Sequence, residues 1–227
     1  MKKIKYLILL SILILACNPI QRVSKEKKLY DELVLLNYFK YSNSENIEKI
    51  KSVGLEQTLL ANSMIEFYGD KTSEPLTKRV YHIDGEYLSD FGGIESFIKD
   101  KLKPFCDATG FKLELTNHRI EFDTISFSRT EQITINQRMY KIFQGDYVRY
   151  GEGWYIAPAM ISKMLNEELK IQKLEERFYL INCENDLSGA FLTQSQYEFY
   201  KRNIKISYWQ PQTTEDWIKF YNIKIKS

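Results

Sequence analysis

Two histidines, three cysteines and a few glycine-bounded turns are the residues of this chain whose types could do chemistry. His82 and His118 each sit inside an alternating apolar pattern, with no second His, Cys or carboxylate at ligand spacing, so both read as strand side chains rather than metal ligands. Ser96-Phe97-Ile98-Lys99 matches the Ser-x-x-Lys pair of acylating enzymes, but neither a Ser-Asp-Asn nor a Lys-Thr-Gly partner follows. Ser96 and Lys99 fall on the polar side of a helical pattern and read as solvated surface. Gly151-Glu152-Gly153 precedes a helix, yet it lacks a third Gly and a Lys-Ser/Thr pair, and Glu152 would repel a phosphate. Asn185-Asp186-Leu187-Ser188-Gly189 lacks the downstream bidentate acid of a calcium loop, so Asp186 reads as a turn former. Cys106 continues the apolar face of its helix and is expected in the core. Carboxylates for sugar hydrolysis come from distant positions and leave no local trace, while Trp154, Trp209 and Trp217 offer rings for stacking on a glycan. The sequence therefore assigns no catalytic, cofactor or metal residue and leans away from an enzyme.

Cys17 is different. Met1-Lys2-Lys3-Ile4-Lys5 is basic, and the run from Tyr6 to Ala16 is apolar except for Ser11. That run suits the apolar region of an export signal and is well short of the ~20 residues of a spanning helix. Ile14-Leu15-Ala16-Cys17 closes it and resembles the lipobox of bacterial lipoproteins, with a branched apolar residue, a small residue and then the cysteine. Leu15 is less usual there than a small or β-branched side chain. The resemblance covers only these first positions. It implies cleavage before Cys17, lipid on its thiol, and an envelope location in the periplasm or at the outer surface. Each buried methylene adds ~0.8 kcal/mol, so two or three acyl chains hold a protein on a membrane almost permanently.

Residues 1–16 are thus expected to be a signal peptide and 17–28 a polar, lipidated tether, with Lys25, Lys27 and Lys28 able to favour anionic headgroups. The formal net charge of +2 belongs to the signal: without Lys2, Lys3 and Lys5, 29 basic residues face 30 acidic ones over 211 positions. A nearly neutral domain gives no electrostatic reason to expect nucleic acid. Cys106 and Cys183 remain in a compartment that supports disulfides, and a bridge between them is one alternative. Asp123-Thr124-Ile125 also resembles a short acceptor motif for O-glycosylation in some exported bacterial proteins.

The elements that would carry these residues begin with helices over 29–69. Leu29, Leu33, Leu36 and Phe39 recur at helical spacing; Ser42-Asn43-Ser44-Glu45 offers a capping box for a second helix ending at Gly54; Leu55, Leu59, Met64 and Phe67 continue to Gly69. Strands follow. Lys78 to Ile83, then Asp84-Gly85, then Glu86 to Leu88 read as a hairpin. Ile94, Phe97, Ile98, Leu102 and Phe105 form one helix face, which Pro104 must kink or restart. A second helix starts at Pro158 and presents Ile161, Met164, Leu165 and Leu169.

Arg79-Val80-Tyr81-His82-Ile83 and Arg138-Met139-Tyr140-Lys141-Ile142 open two similar stretches, 76–122 and 132–192, which suggest a duplicated ββαβ unit; coincidence between units of biased composition is the alternative. Strands are expected over Phe111–Leu115, His118–Phe122, Gln132–Ile135, Phe178–Ile181 and Ile204–Tyr208. Thr193 and Gln196 match a capping box, and Thr214–Tyr221 a closing helix. The expected fold is a single α+β domain over 29–227 with mainly antiparallel strands. The expected function is an anchored, non-catalytic protein-binding role, for instance an immunity protein or inhibitor. A glycan-handling envelope lipoprotein is the rival.

Overall fold

The structure, a computed structural model, describes residues 27–53, 76–89, 93–146, 153–183 and 186–224. It is α+β, with two three-stranded antiparallel sheets. In chain order the elements are α1 (27–35), α2 (Ser44–Val53), β1 (Val80–Ile83), α3 (Gly85–Ser89), α4 (Gly93–Ser96), a π-helical turn (Phe97–Lys101) and α5 (Lys103–Thr109). There follow β2 (Leu115–Asp123), β3 (Ser128–Ile135), β4 (Arg138–Asp146), α6 (Gly153–Ile171), β5 (Arg177–Cys183), β6 (Asp186–Leu192), α7 (Gln194–Asn203) and α8 (Thr214–Phe220). Sheet I has the order β1-β6-β5 and sheet II the order β2-β3-β4. Among the described residues no helix is long and apolar enough to cross a membrane.

Sheet I is an interior wall. One face meets α4, α5, α6 and α8 through Ile94, Phe105, Met164, Phe178, Phe191 and Trp217; the other meets α1, α2 and α7 through Leu33, Ile50, Tyr179, Ala190 and Phe199. Central β6 is therefore buried along Leu187–Leu192, with small residues at Ser188, Gly189 and Ala190. Gly189 is needed because a Cβ there would lie 1.9 Å from the Phe178 ring, which rests on the strand backbone.

Several sequence expectations fail for local reasons. Asp84-Gly85 does not turn a hairpin: the Tyr87 amide donates to the Asp84 carboxylate at 2.9 Å, so Asp84 caps α3, and β1 pairs with β6 instead. With that hairpin goes the likeness behind the duplication. Stretches 76–122 and 132–192 each contribute strands to both sheets and are not separate lobes, and Gly145 lies within β4 rather than in a turn.

Helix α6 begins at Gly153, so Pro158 lies inside it rather than at its start. Pro104 sits at the start of α5, after a π-helical turn in which the Leu102 amide donates to the Phe97 carbonyl at 3.0 Å; the chain restarts rather than bends. The cap of α2 is Asn43, which accepts from the Asn46 amide at 2.7 Å, and not Ser42. Strand β2 begins at Leu115, after the stretch Phe111–Glu114, and 204–206 is irregular before a 3₁₀ turn at Ser207–Trp209. Lys27 and Lys28 already belong to α1, which shortens the expected tether. The expected helical turns over 54–69 lie outside the described residues. The Thr193–Gln196 capping box on α7 is present in both of its hydrogen bonds.

Three helices end without glycine. Asn37, Lys173 and Asn222 take φ of 53°, 60° and 51°. After each, an amide reaches back five residues: Tyr38 to Leu33, Leu174 to Leu169 and Ile223 to Ile218. These are Schellman endings, and each turns an apolar residue toward a core.

Candidate functional site

The strand β3 alternates buried Arg129, Glu131, Ile133 and Ile135 with half-buried residues, so its inward face is apolar at one end and ionic at the other. The β2 register places His118 opposite Ile133, Ile120 opposite Glu131 and Phe122 opposite Arg129, all on that inward face. Imidazole Nε2 of His118 lies 2.8 Å from Glu131, and Nδ1 lies 3.1 Å from Glu95 on α4. Arg129 donates to the other Glu131 oxygen at 2.8 Å. A bracket of four side chains thus fastens the far half of sheet II to α4. The His118 ring is 5% exposed, whereas Glu95 is 38% exposed, so the bracket reaches solvent only through Glu95. Lys99, 3.0 Å from Glu95, and then His118 hold that carboxyl below the usual glutamate range.

Two other buried polar clusters join elements in the same way. Glu168 of α6 accepts two bonds from Arg138, at 2.7 and 2.5 Å, one from Tyr140 at 2.5 Å and one from Asn136 at 2.7 Å. Burial opposes its ionisation, but Arg138, Tyr140 and Asn136 outweigh that and keep its pKa lowered. The same contact, after burial itself, pushes the Tyr140 phenol up to about 12. Arg79, just before β1, donates to the Tyr38 carbonyl at 2.8 Å and the Phe191 carbonyl at 3.1 Å. It faces Glu176 at 3.4 Å, with Tyr41 donating to that carboxylate at 2.7 Å and lying under the guanidinium.

The two sheets treat their edges differently. On β5, Asn166 of α6 both donates to the Phe178 carbonyl, at 2.9 Å, and accepts from its amide, at 2.6 Å. Two residues on, Gln212 does the same for Leu180 with its own backbone, at 3.0 and 2.7 Å. On β2, among the described residues, Asn117–Glu121 have β3 on one side and no strand on the other. The β2–β3 turn that follows exposes Ile125 (91%) and Phe127 (58%), held by Asp123, whose carboxylate accepts from the Ile125 amide at 2.8 Å and the Ser126 hydroxyl at 2.6 Å.

Sequence-marked residues fall as follows. Cys17 and Glu152 lie outside the described residues. His82 is an exposed β1 side chain, and His118 is bracketed. Ser96 bonds to Asp100 and Lys99 to Glu95, each a turn apart on one helical surface, and not to each other. Cys106 is a free, half-buried thiol that burial, then Asp107, pushes up to about 11, which keeps it protonated and unreactive at neutral pH. Trp217 is fully buried, its indole donating to the Tyr155 carbonyl at 3.0 Å, so this ring offers no glycan platform; Trp154 and Trp209 are half-buried. Thr124 of the acceptor-like tripeptide is exposed in the β2–β3 turn. Among the described residues no group of three or more His, Cys, Asp or Glu is arranged to hold a metal ion.

The bracket itself went unread in the sequence, because its members come from α4, β2 and β3 and meet only through the register. The one local trace was Arg129 and Glu131, two residues apart with two apolar residues at the same period. Compared with protein-family models, curated proteins and solved structures, the chain matches none.

Proposed function

We propose that this chain is an exported lipoprotein, held on a membrane of the bacterial cell envelope by lipid on Cys17, whose domain binds a protein partner without catalysis. The observation that carries the partner is the β2–β3 turn. Ile125 and Phe127 stand exposed beyond the hairpin, belong to neither core, and sit on a turn ordered by Asp123. An ordered apolar tip next to polar strands is the composition of a contact surface. The three polar clusters inside the domain support the non-catalytic half of the reading, since each joins two or more elements and uses its charged atoms in doing so. A toxin or hydrolase arriving at the membrane is one partner this address would suit.

The test is affinity capture from membrane extracts with the full chain and with Ile125→Ser/Phe127→Ser. A specific protein retained by the first and lost by the second is expected. Equal retention by both, or no specific protein, overturns the proposal. Separately, Cys17→Ala should move the chain from membranes to the soluble fraction; unchanged membrane fractionation overturns the anchor.

A further inference from the structure

We propose that the outward face of α1 lies on the bilayer that anchors Cys17, with Val34 and Leu35 entering the anionic headgroup layer and Lys27 and Lys28 bound to it. This contact rests on the lipid anchor proposed above and does not depend on a partner at the tip. The helical period sets Leu29, Leu33 and Leu36 on one side of α1, and Lys27, Lys28, Asp31, Val34 and Leu35 on a stripe opposite. Leu29 and Leu33 are buried in the core beside sheet I, and Leu36 packs against it. Leu35 is 82% exposed and Val34 46%, and neither belongs to a core or packs on one. The run Leu33-Val34-Leu35-Leu36 thus sends two side chains inward and leaves two outward, which core packing does not account for.

The chain that precedes α1 specifies the occupant. Ten residues, 17–26, separate Cys17 from Lys27, and at full extension they span at most ~35 Å. The start of α1 is therefore never farther than that from the lipid. It meets the bilayer as an intramolecular event, for which a patch too small to hold a free protein suffices. The stripe has the composition of a helix lying in a membrane interface: cations whose stems run along the surface while their heads stay among headgroups, and apolar side chains two turns on. Lys27 and Lys28 set two positive charges against the single acid Asp31, and among the described residues none of the three is in an ion pair. Arg202 donates to Glu32, and Gln196 donates to the Leu36 carbonyl at 2.9 Å, so α7 runs back along α1. That course brings exposed Lys205 and Ile206 (40%) toward the same end. Positive charge and exposed apolar area thus coincide where the tether joins the domain, and an anionic lipid surface satisfies both.

The test uses the full chain, purified from membranes and reconstituted into vesicles of mixed phosphatidylcholine and phosphatidylglycerol, with an environment-sensitive dye attached through Leu35→Cys. The mass of the amino-terminal peptide is read first: Cys17 without lipid overturns the anchor and this contact together. The chain that keeps Leu35, treated alike, supplies the background from its natural cysteines. The dye at position 35 is expected to shift to the blue and to be quenched by lipid spin-labelled in its acyl chain. Lys27→Glu/Lys28→Glu should lower the ratio of bilayer-engaged to free dye roughly tenfold or more, and Lys27→Gln/Lys28→Gln should lower it less. Vesicles of phosphatidylcholine alone should weaken the quenching in the unaltered background. Lys27, Lys28 and Leu35 are exposed, so these substitutions leave both cores untouched. A dye that stays in water beside a lipidated Cys17, equal quenching in all three charge backgrounds, or quenching at Ile125→Cys in place of Leu35→Cys overturns the contact while leaving the anchor standing.

Discussion

Sheets I and II have the same number of strands and the same antiparallel pairing, yet they answer opposite demands. Sheet I is covered on both faces, its β5 edge is closed by Asn166 and Gln212, and its central strand narrows to Ser188, Gly189 and Ala190 so that rings can lie on it. Sheet II is covered on one face, holds a line of ions where that cover thins, and exposes Ile125 and Phe127 at its β2–β3 tip. The difference teaches where this domain keeps its stability and which surface the proposed partner would meet. The backbone groups of β5 that Asn166 and Gln212 satisfy belong to the frame, and the exposed β2–β3 tip belongs to the surface. Three substitutions can break or sharpen that division.

The largest effect is expected at Arg79, which is 1% exposed and ties the frame at three points: the Tyr38 carbonyl after α1, the Phe191 carbonyl of β6 and the Glu176 carboxylate before β5. Arg79→Met keeps much of the stem but strands Glu176 without its cation. Breaking a buried ion pair from one side costs about 3–5 kcal/mol. For a chain of this size that lowers Tm by roughly 10 °C. Thermal unfolding followed by circular dichroism reads it directly; a loss under about 1 kcal/mol would mean that the frame does not run through Arg79.

A middle effect is expected where the frame and sheet II meet. Glu168 of α6 gathers Arg138, Tyr140 and Asn136 from the β3–β4 hairpin, and its folded pKa lies below the ordinary 4.5. A depressed carboxyl contributes stability that is present above its unfolded pKa and lost as pH falls through the folded value. Unfolding midpoints in urea, measured from pH 7 down to pH 3, should therefore fall on the acid side below about 4.5. Glu168→Gln should cost about 2 kcal/mol at pH 7, through weakened bonds to Arg138, and should flatten that acid limb. An acid limb of unchanged slope in the variant would assign the acid loss to other groups.

How far this architecture was legible in the sequence depended on whether a residue's role was settled nearby. The helix faces of α4–α5 and α6 read correctly, because Ile94, Phe97, Ile98, Leu102 and Phe105, and then Ile161, Met164, Leu165 and Leu169, all enter one core at helical spacing. The α7 capping box read correctly for the same reason. Asp84-Gly85 misled because one dipeptide serves two structures: Asp followed by Gly can turn a hairpin or cap a helix, and only the distant pairing of β1 with β6 decides. The true tight hairpin is at Asn136-Gln137, both at positive φ (49° and 67°), where no glycine announced it. The Schellman endings at Asn37, Lys173 and Asn222 were hidden likewise. Of the candidate site, the charged period of Arg129 and Glu131 was visible and its partners were not, since Glu95 and His118 arrive from separate elements.

The smallest effect, and the sharpest test of the division, is expected at His118. Its ring joins Glu95 to Glu131 at the ionic end of sheet II, whereas the apolar end is held independently by Ile133, Ile135 and Ile142 in the main core. His118→Leu removes both bonds but keeps a side chain of comparable bulk, and Arg129 still neutralises Glu131 at 2.8 Å. The cost should thus be about 1 kcal/mol, the value of modest buried hydrogen bonds rather than of an orphaned charge. It should also be local. Amides of β2 and of β3 near Arg129 should exchange faster with solvent, while those of β6 keep the protection of the global unfolding reaction, as expected when an outer segment opens without the frame. Equal acceleration in β6 would make the two sheets one cooperative unit, and the exposed tip would then be a property of the whole fold rather than of a surface the frame merely carries.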